Sequence, residues 1–214
     1  MRSESCLVDI LLNQDLHFID AMAREIVLIG RSNVGKSTLF RKLTGKNVSV
    51  GRRPGITRWP SKVKVGNIYY VDMPGYGFMR SATKAEQEKT KDIIVKYFED
   101  HAKEIILAVQ IIDAASFVDI ADRWEARGEV PTEIELYEFL LDQGLDTVIA
   151  ANKMDRIANP DEALDAIAER LGMLPPWGQW IDKIAPISAK KGKIDPLQKI
   201  IRDKIASSSN ASTT

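Results

Sequence analysis

Short apolar runs alternate along the chain with longer segments in which apolar residues recur at the spacing of an amphipathic helix. The run Ile105–Ile112 is almost wholly apolar, which is typical of a parallel strand covered on both faces. Gly66-Asn67 separates two shorter runs and predicts a hairpin, so one strand is antiparallel to the rest. The predicted strands are Glu25–Ile29, Ser61–Val65, Ile68–Asp72, Ile105–Ile112, Thr147–Ala151 and a last one that includes Ala185–Ile187. The predicted helices are Gly35–Leu43, Lys84–His101, Pro131–Asp142, Asn159–Leu171 and Pro196–Ala206.

This order predicts an α/β fold with three layers: a mostly parallel six-stranded sheet with one antiparallel strand, and helices on both faces. A chain of 214 residues is long enough for one such domain and too short for two. We expect an N-terminal extension over residues 1–23, the domain over residues 24–206, and a disordered Ser/Asn/Thr tail over residues 207–214. Ligands of such sheets bind at the C-terminal ends of the strands, so a site is expected there.

The first strand leads into Gly30-Arg31-Ser32-Asn33-Val34-Gly35-Lys36-Ser37, a G-x-x-x-x-G-K-S sequence, and Thr38 follows in a predicted helix. This context is typical of a P-loop, whose glycines let backbone N–H groups face phosphate oxygens. We predict that all nine residues bind a nucleotide, with Lys36 reaching the β- and γ-phosphates and Ser37 binding Mg²⁺. The alternative is a glycine turn that contains a lysine by chance.

Four more polar clusters lie after or between the predicted strands. They are Gly55-Ile56-Thr57, Asp72-Met73-Pro74-Gly75, Asn152-Lys153-Met154-Asp155 and Ser188-Ala189-Lys190. We predict that Asp72 holds Mg²⁺ through a water molecule, that Thr57 is a further Mg²⁺ ligand, and that Gly75 donates its N–H to the γ-phosphate.

The third of these clusters has the chemistry to select guanine. The Asp155 carboxylate can accept from both N1–H and N2–H₂ of guanine, a donor pair that adenine lacks. Asn152 can bond the base and tie its loop to the P-loop, the stem of Lys153 can cover the ring, and the Ala189 N–H can donate to O6. Taken alone, N-K-M-D is as easily a solvated loop; its place behind a P-loop favours GTP and GDP as ligands.

The combination G-R-S-N-V-G-K-S, R-P-G-I-T-R, D-M-P-G-Y-G and N-K-M-D resembles the EngB/YihA family of translation-factor-related ribosome-assembly GTPases over residues 24–206. The resemblance implies a P-loop GTPase domain that hydrolyses GTP, switches conformation and acts in large ribosomal subunit assembly. It also implies that Asn33 holds K⁺ beside the phosphates; a loop-stabilising asparagine is the alternative.

Catalysis is assigned to Lys36, Thr57 and Gly75, which would stabilise charge on the phosphates. In Ras-like proteins a glutamine follows the D-x-x-G glycine and orients water, whereas this chain has Tyr76. We therefore predict slow intrinsic hydrolysis that a partner or K⁺ stimulates. We interpret Tyr76 as an exposed aromatic that docks on a partner; the alternative is that its phenol takes part in the chemistry.

Basic residues with an interleaved Trp59 surround the two predicted switch loops, a pattern that suits RNA phosphates, although a solvated surface has the same pattern. These residues are Arg52, Arg53, Arg58, Lys62, Lys64, Arg80 and Lys84. The formal net charge is zero, so such a patch would have to act locally. The family resemblance favours the large ribosomal subunit and its rRNA as partner.

We expect a cytoplasmic monomer with no membrane partner. The single cysteine, Cys6, fits a reducing compartment, and we find no signal peptide, lipidation motif or apolar stretch long enough to span a bilayer. Two other classes stay open. One is a small signalling G protein that acts on protein effectors. The absence of lipidation signals and of the glutamine argues against this class. The other is a nucleotide-dependent binding module whose hydrolysis is incidental.

Overall fold

We describe a computed structural model of the protein over residues 24–46, 59–76 and 83–210. Its strands are β1 (Arg24–Gly30), β2 (Ser61–Val65), β3 (Ile68–Asp72), β4 (Ile105–Asp113), β5 (Thr147–Asn152) and β6 (Ile184–Pro186). Its α-helices are α1 (Lys36–Thr44), α2 (Lys84–His101), α3 (Phe117–Glu125), α4 (Thr132–Asp142), α5 (Pro160–Arg170) and α6 (Asp195–Asn210). Short 3₁₀ helices are formed by Met154–Arg156 and Trp177–Trp180.

In the described part of the chain, six strands form one sheet in the order β2-β3-β1-β4-β5-β6. The pairs β1–β3, β1–β4, β4–β5 and β5–β6 are parallel, and only β2–β3 is antiparallel there. The hairpin turn places Gly66 at φ 59°, a conformation that glycine adopts without a Cβ penalty. The predicted mostly parallel sheet with one antiparallel strand is confirmed.

Helices cover both faces of the sheet. On one face Leu39 and Phe40 of α1 pack with Leu197 of α6 against alternate residues of the central strands. On the other face α2, α4 and α5 bury residues such as Phe98 and Leu140. Strand β1 is fully buried except at Arg24, because both its faces are covered. The three-layer α/β architecture is confirmed.

Helix α3 lies in a segment for which the sequence predicted no element. It buries Phe117 and Ala121, which are four residues apart on one face of the helix. Arg170 of α5 forms ion pairs with Asp122 and Glu125 of this helix. A short helix held by such contacts with a remote helix has a weak signal in its own sequence.

The predicted disordered tail is wrong over its first four residues, because α6 continues to Asn210. Ser208 and Ser209 donate hydrogen bonds to the carbonyl of Ile205, at 3.0 and 2.8 Å. Both hydroxyls also accept from Arg24 at the start of β1, at 3.1 and 2.7 Å. These bonds satisfy polar groups of the last turn and extend the helix. Residues 1–23 and 211–214 lie outside the described residues.

Candidate functional site

The P-loop (Gly30–Ser37) joins β1 to α1 at the C-terminal edge of the sheet. A Cβ on Gly30 would lie 2.4 Å from the carbonyl oxygen of Ile111. Gly35 has φ 100°, and a Cβ there would lie 2.3 Å from the Asn152 amide nitrogen, so glycine is required at both positions. Helix α1 begins at Lys36 without a side-chain cap, which leaves its first N–H groups available to an anion.

Lys36 and Asp72 form a buried ion pair at the start of α1 and the end of β3. Their exposed fractions are 7% and 1%. Burial raises the pKa of Asp72, and the neighbouring Lys36 charge opposes that rise. The next residue, Ser37, is partly buried. A carboxylate and a hydroxyl beside a lysine are the hard oxygen donors that suit Mg²⁺ bound to a phosphate.

The segment after β3 folds back onto the P-loop. The Ser32 N–H donates to the carbonyl oxygen of Tyr76 at 3.2 Å. A Cβ on Gly75 would lie 2.9 Å from Ser32 Oγ, so the two loops are in close contact. The predicted γ-phosphate donor therefore lies against the P-loop. Met73 is buried in the core, and its N–H donates to the Leu28 carbonyl at 3.0 Å.

The predicted residues of the first switch, Gly55, Ile56 and Thr57, lie outside the described residues. The predicted roles of Thr57 in catalysis and metal binding therefore stay predictions.

Asn152 connects three loops. Its Nδ2 donates to the carbonyl oxygen of Val34 in the P-loop at 2.7 Å. Its Oδ1 accepts from the Ala189 N–H at 2.9 Å, and the residue is only 3% exposed. The predicted tie between this loop and the P-loop is present. The Ala189 N–H, predicted to donate to guanine O6, already donates to Asn152 Oδ1. A bond to O6 would therefore require this N–H to be shared between two acceptors.

Lys153 is held beside the P-loop by two contacts. It has a left-handed backbone with φ 69°, and its Nζ donates to the carbonyl oxygen of Asn33 at 2.9 Å. The same Nζ pairs with the Asp113 carboxylate at the end of β4. Sequence reasoning missed Asp113, although its position directly after an apolar strand is a signal for such a residue. Asp113 orients the lysine stem that was predicted to cover the base.

Asp155 is exposed and accepts a hydrogen bond from the Ser188 hydroxyl. This bond lowers the pKa of the Asp155 carboxyl, so the group is an ionised acceptor at neutral pH. Ser188 is fixed in turn by backbone bonds to Lys193, at 2.8 and 3.1 Å. Lys190 is exposed in the same loop. The residues that were predicted to read the base are therefore brought to one edge of the P-loop.

Tyr76 is not an exposed aromatic, so the prediction that it docks on a partner is wrong. It is only 8% exposed and packs in the core with Ile94 and Phe98. Burial, followed by the nearby Glu133 carboxylate, raises the pKa of the Tyr76 phenol well above its usual value. The phenol is therefore neutral and points into the protein.

The predicted basic surface is described only in part. Trp59 is 66% exposed, and Lys62 and Lys64 lie on the edge strand β2 with their ammonium groups 4.5 and 5.3 Å from the centre of the Tyr69 ring. Lys62 also pairs with the buried Glu25. Arg52, Arg53, Arg58, Arg80 and the Lys84 side chain lie outside the described residues.

Neither a membrane span nor a clustered metal site is found within residues 24–46, 59–76 and 83–210. No helix there has the length and apolar character needed to cross a membrane. No group of three or more His, Cys, Asp and Glu side chains is placed there to hold a metal ion.

Comparison with known proteins gives consistent matches. Residues 25–153 match the family model described as 50S ribosome-binding GTPase. The probable GTP-binding protein EngB of Methanosarcina barkeri is 46% identical over 183 residues, which cover 85% of this chain and 88% of that protein. The protein of the same name from Methanopyrus kandleri is 47% identical over 188 residues, which cover 83% of this chain and 92% of that protein.

Two solved structures are also similar. The crystal structure of a probable GTP-binding protein engB has a TM-score of 0.79 and 42% identity, and the match covers 86% of this chain and 99% of that one. The structure of Era in complex with MgGDPNP and nucleotides 1506–1542 of 16S ribosomal RNA has a TM-score of 0.60 and 26% identity. That match covers 84% of this chain and 56% of Era.

The sequence matches extend over most of the chain, and the fold agrees with that of the matching EngB structure. The chain therefore belongs to the EngB family of GTP-binding proteins, within the P-loop GTPases.

Proposed function

We propose that the protein hydrolyses GTP to GDP and phosphate as a conformational switch in the cytoplasmic assembly of the large ribosomal subunit. The observation that supports the nucleotide site best is the buried Asn152 side chain. Its two bonds connect the P-loop and the Ser188–Lys190 loop at one point. This places the proposed phosphate-binding N–H groups and the proposed base-reading Asp155 on the same edge of the sheet.

In this proposal the P-loop N–H groups and Lys36 bind the phosphates, and Asp155 reads the guanine. Ser37, Asp72 and Thr57 would hold Mg²⁺, which neutralises charge on the β- and γ-phosphate oxygens when bound. Gly75 would donate its N–H to the γ-phosphate. Loss of the γ-phosphate on hydrolysis would then release the segment after β3.

Intrinsic hydrolysis is proposed to be slow. The side chain at the position of the Ras glutamine, Tyr76, is neutral and packed in the core. It cannot orient a water molecule beside the γ-phosphate from there. Alignment of the attacking water would then depend on a partner or on a bound cation.

A ribosomal RNA partner is supported by the exposed Trp59, which precedes the edge strand β2, and by the exposed Lys64 on that strand, since RNA-binding surfaces combine stacking aromatics with cations. The family model that matches is described as ribosome-binding, and Era was solved with a piece of 16S ribosomal RNA.

Co-sedimentation tests this partner. We expect the protein to pellet with large ribosomal subunits, more with a non-hydrolysable GTP analogue than with GDP, and less as salt rises. Lys64→Glu combined with Trp59→Ala should reduce the bound fraction about fivefold, because both an ionic and a stacking contact are lost. Lys199→Glu, an equal charge change on the exposed face of α6, is the matched control. No pelleting at any salt would instead favour a G protein that acts on protein effectors.

A potassium ion beside the phosphates is proposed at Asn33. This residue has φ 70°, is exposed, and has its carbonyl oxygen fixed by Lys153. An ion held there would add positive charge where an arginine finger acts in related enzymes. We expect GTP hydrolysis to be about tenfold faster or more in K⁺ than in Na⁺ at matched ionic strength, and Asn33→Ala to remove this difference. Equal rates of the parent protein in both salts would exclude the K⁺ site.

A further inference from the structure

Four side chains, three of them buried and one partly buried, form a polar group that joins the P-loop to three other elements. They are Arg31 of the P-loop, Tyr76, Gln110 of β4 and Glu133 of α4, and are called the Tyr76 cluster below. Arg31 Nη1 lies 2.9 Å from Glu133 Oε1. Gln110 Nε2 donates to the Glu133 carbonyl oxygen at 2.7 Å. Gln110 is fully buried and Glu133 is 4% exposed, so water does not replace these contacts.

The backbone of the cluster connects directly to the proposed γ-phosphate donor. Arg31 and Tyr76 form an isolated parallel β-bridge, and Ser32 donates to the Tyr76 carbonyl at 3.2 Å. Gly75 precedes Tyr76 and touches Ser32. The position of the Gly75 N–H therefore depends on how Tyr76 is held.

Several polar atoms of the cluster are buried. The Tyr76 hydroxyl faces the Gln110 side chain, and Gln110 Oε1 and Glu133 Oε2 are without a hydrogen-bond partner of good geometry among the described residues. Buried polar atoms are almost always paired in native proteins, with protein groups or with ordered water. An apolar set of side chains would fill the same space without needing such pairing. A polar set instead fixes one arrangement of the elements that it joins, because its members must stay in hydrogen-bonding register.

We propose that the Tyr76 cluster is a positioning unit that holds the Gly75 N–H against the P-loop and so sets the preference for GTP over GDP. The inference rests on the proposed nucleotide site. None of the four side chains needs to touch the nucleotide. Arg31, predicted from the motif as a nucleotide-binding residue, acts here through Glu133. A Gly75 N–H that is already in place favours the binding of GTP, because the segment after β3 need not be ordered when the γ-phosphate binds. GDP has no γ-phosphate, so its binding gains nothing from the preformed Gly75 N–H.

Glu133→Gln tests the proposal, because it keeps the side-chain shape and removes the charge that holds Arg31. The matched control is Glu135→Gln, two residues along the same helix, where the carboxylate is half-exposed and pairs with Lys91. We expect Glu133→Gln to raise the dissociation constant of a non-hydrolysable GTP analogue about fivefold or more, and that of GDP less than twofold. Glu135→Gln should change neither. Fluorescent nucleotide titration gives all four constants.

If the role of Glu133 were only structural, Glu133→Gln would have a lower melting temperature and would bind both nucleotides more weakly by the same factor. An unchanged ratio of the two dissociation constants in Glu133→Gln, whether both rise equally or neither moves, would overturn the inference. Failure of the parent protein to bind either nucleotide would overturn the proposed nucleotide site instead. Thermal melting of the parent protein and the two variants, with and without GDP, shows separately whether the parent binds nucleotide and whether Glu133→Gln is only destabilised.

Discussion

A Lys36→Met variant is expected to hydrolyse GTP about a thousandfold more slowly than the parent protein, because the cation that we propose to bind the phosphates is lost. The same change leaves the Asp72 carboxylate buried without its counter-charge. Breaking a buried ion pair in this way should lower the free energy of unfolding by about 3 kcal/mol. Single-turnover hydrolysis and denaturant unfolding measure the two effects.

The loss of stability should depend on pH. Burial raises the pKa of Asp72, and the variant lacks the lysine that opposes this rise. A carboxyl whose pKa is raised on folding contributes stability that is present at low pH and is lost as pH rises through the folded-state pKa. The variant should therefore be less destabilised at low pH, where Asp72 is protonated, than at high pH, where it is ionised.

A double variant separates stability from chemistry. Lys36→Met combined with Asp72→Asn removes both charges, so most of the lost stability should return. Hydrolysis should stay slow, because neither the lysine nor the carboxylate is present. Near-parent hydrolysis in the single variant would contradict the proposed role of Lys36.

The elements with strong local signals were predicted well. The hairpin strands Ser61–Val65 and Ile68–Asp72 and the helix Lys84–His101 have the predicted bounds. Each has a local cause. Gly66 provides the turn, and Thr83 and Glu86 form a capping box at the start of α2. The position of Asn152 was predictable for a similar reason, since a polar residue directly after a buried parallel strand lies at the ligand edge of the sheet.

The features that the sequence did not reveal depend on contacts between remote residues. Helix α3 contacts Arg170 of α5, and the buried Tyr76 accepts a backbone bond from Ser32. The ion pair between Arg31 and Glu133 joins residues 102 positions apart. No local pattern marks such a pair. The motif showed that Arg31 belongs to a P-loop, and the fold showed that its side chain is directed toward α4.

Asp155→Asn is expected to change which base the protein accepts. In the proposed site the ionised carboxylate would accept two donors from guanine, whereas an asparagine would offer one acceptor and a donor that meets the guanine amino group. Affinity for GTP should fall about a hundredfold or more, because paired polar contacts discriminate strongly when one partner is changed. Xanthosine triphosphate has a carbonyl in place of that amino group, so its affinity should rise. Competition against a fluorescent guanine nucleotide measures both constants.

The matched control is Asp142→Asn, an exposed carboxylate at the end of α4, which should leave both affinities unchanged. The Ser188 hydroxyl should still donate to the asparagine oxygen, so the loop keeps its geometry. The change in nucleotide affinity then reflects the contact between residue 155 and the base. Calorimetry of the parent protein with ATP is the more severe test. If ATP binds as tightly as GTP, Asp155 does not read the base, and the connection of three loops through Asn152 has a purpose other than guanine selection.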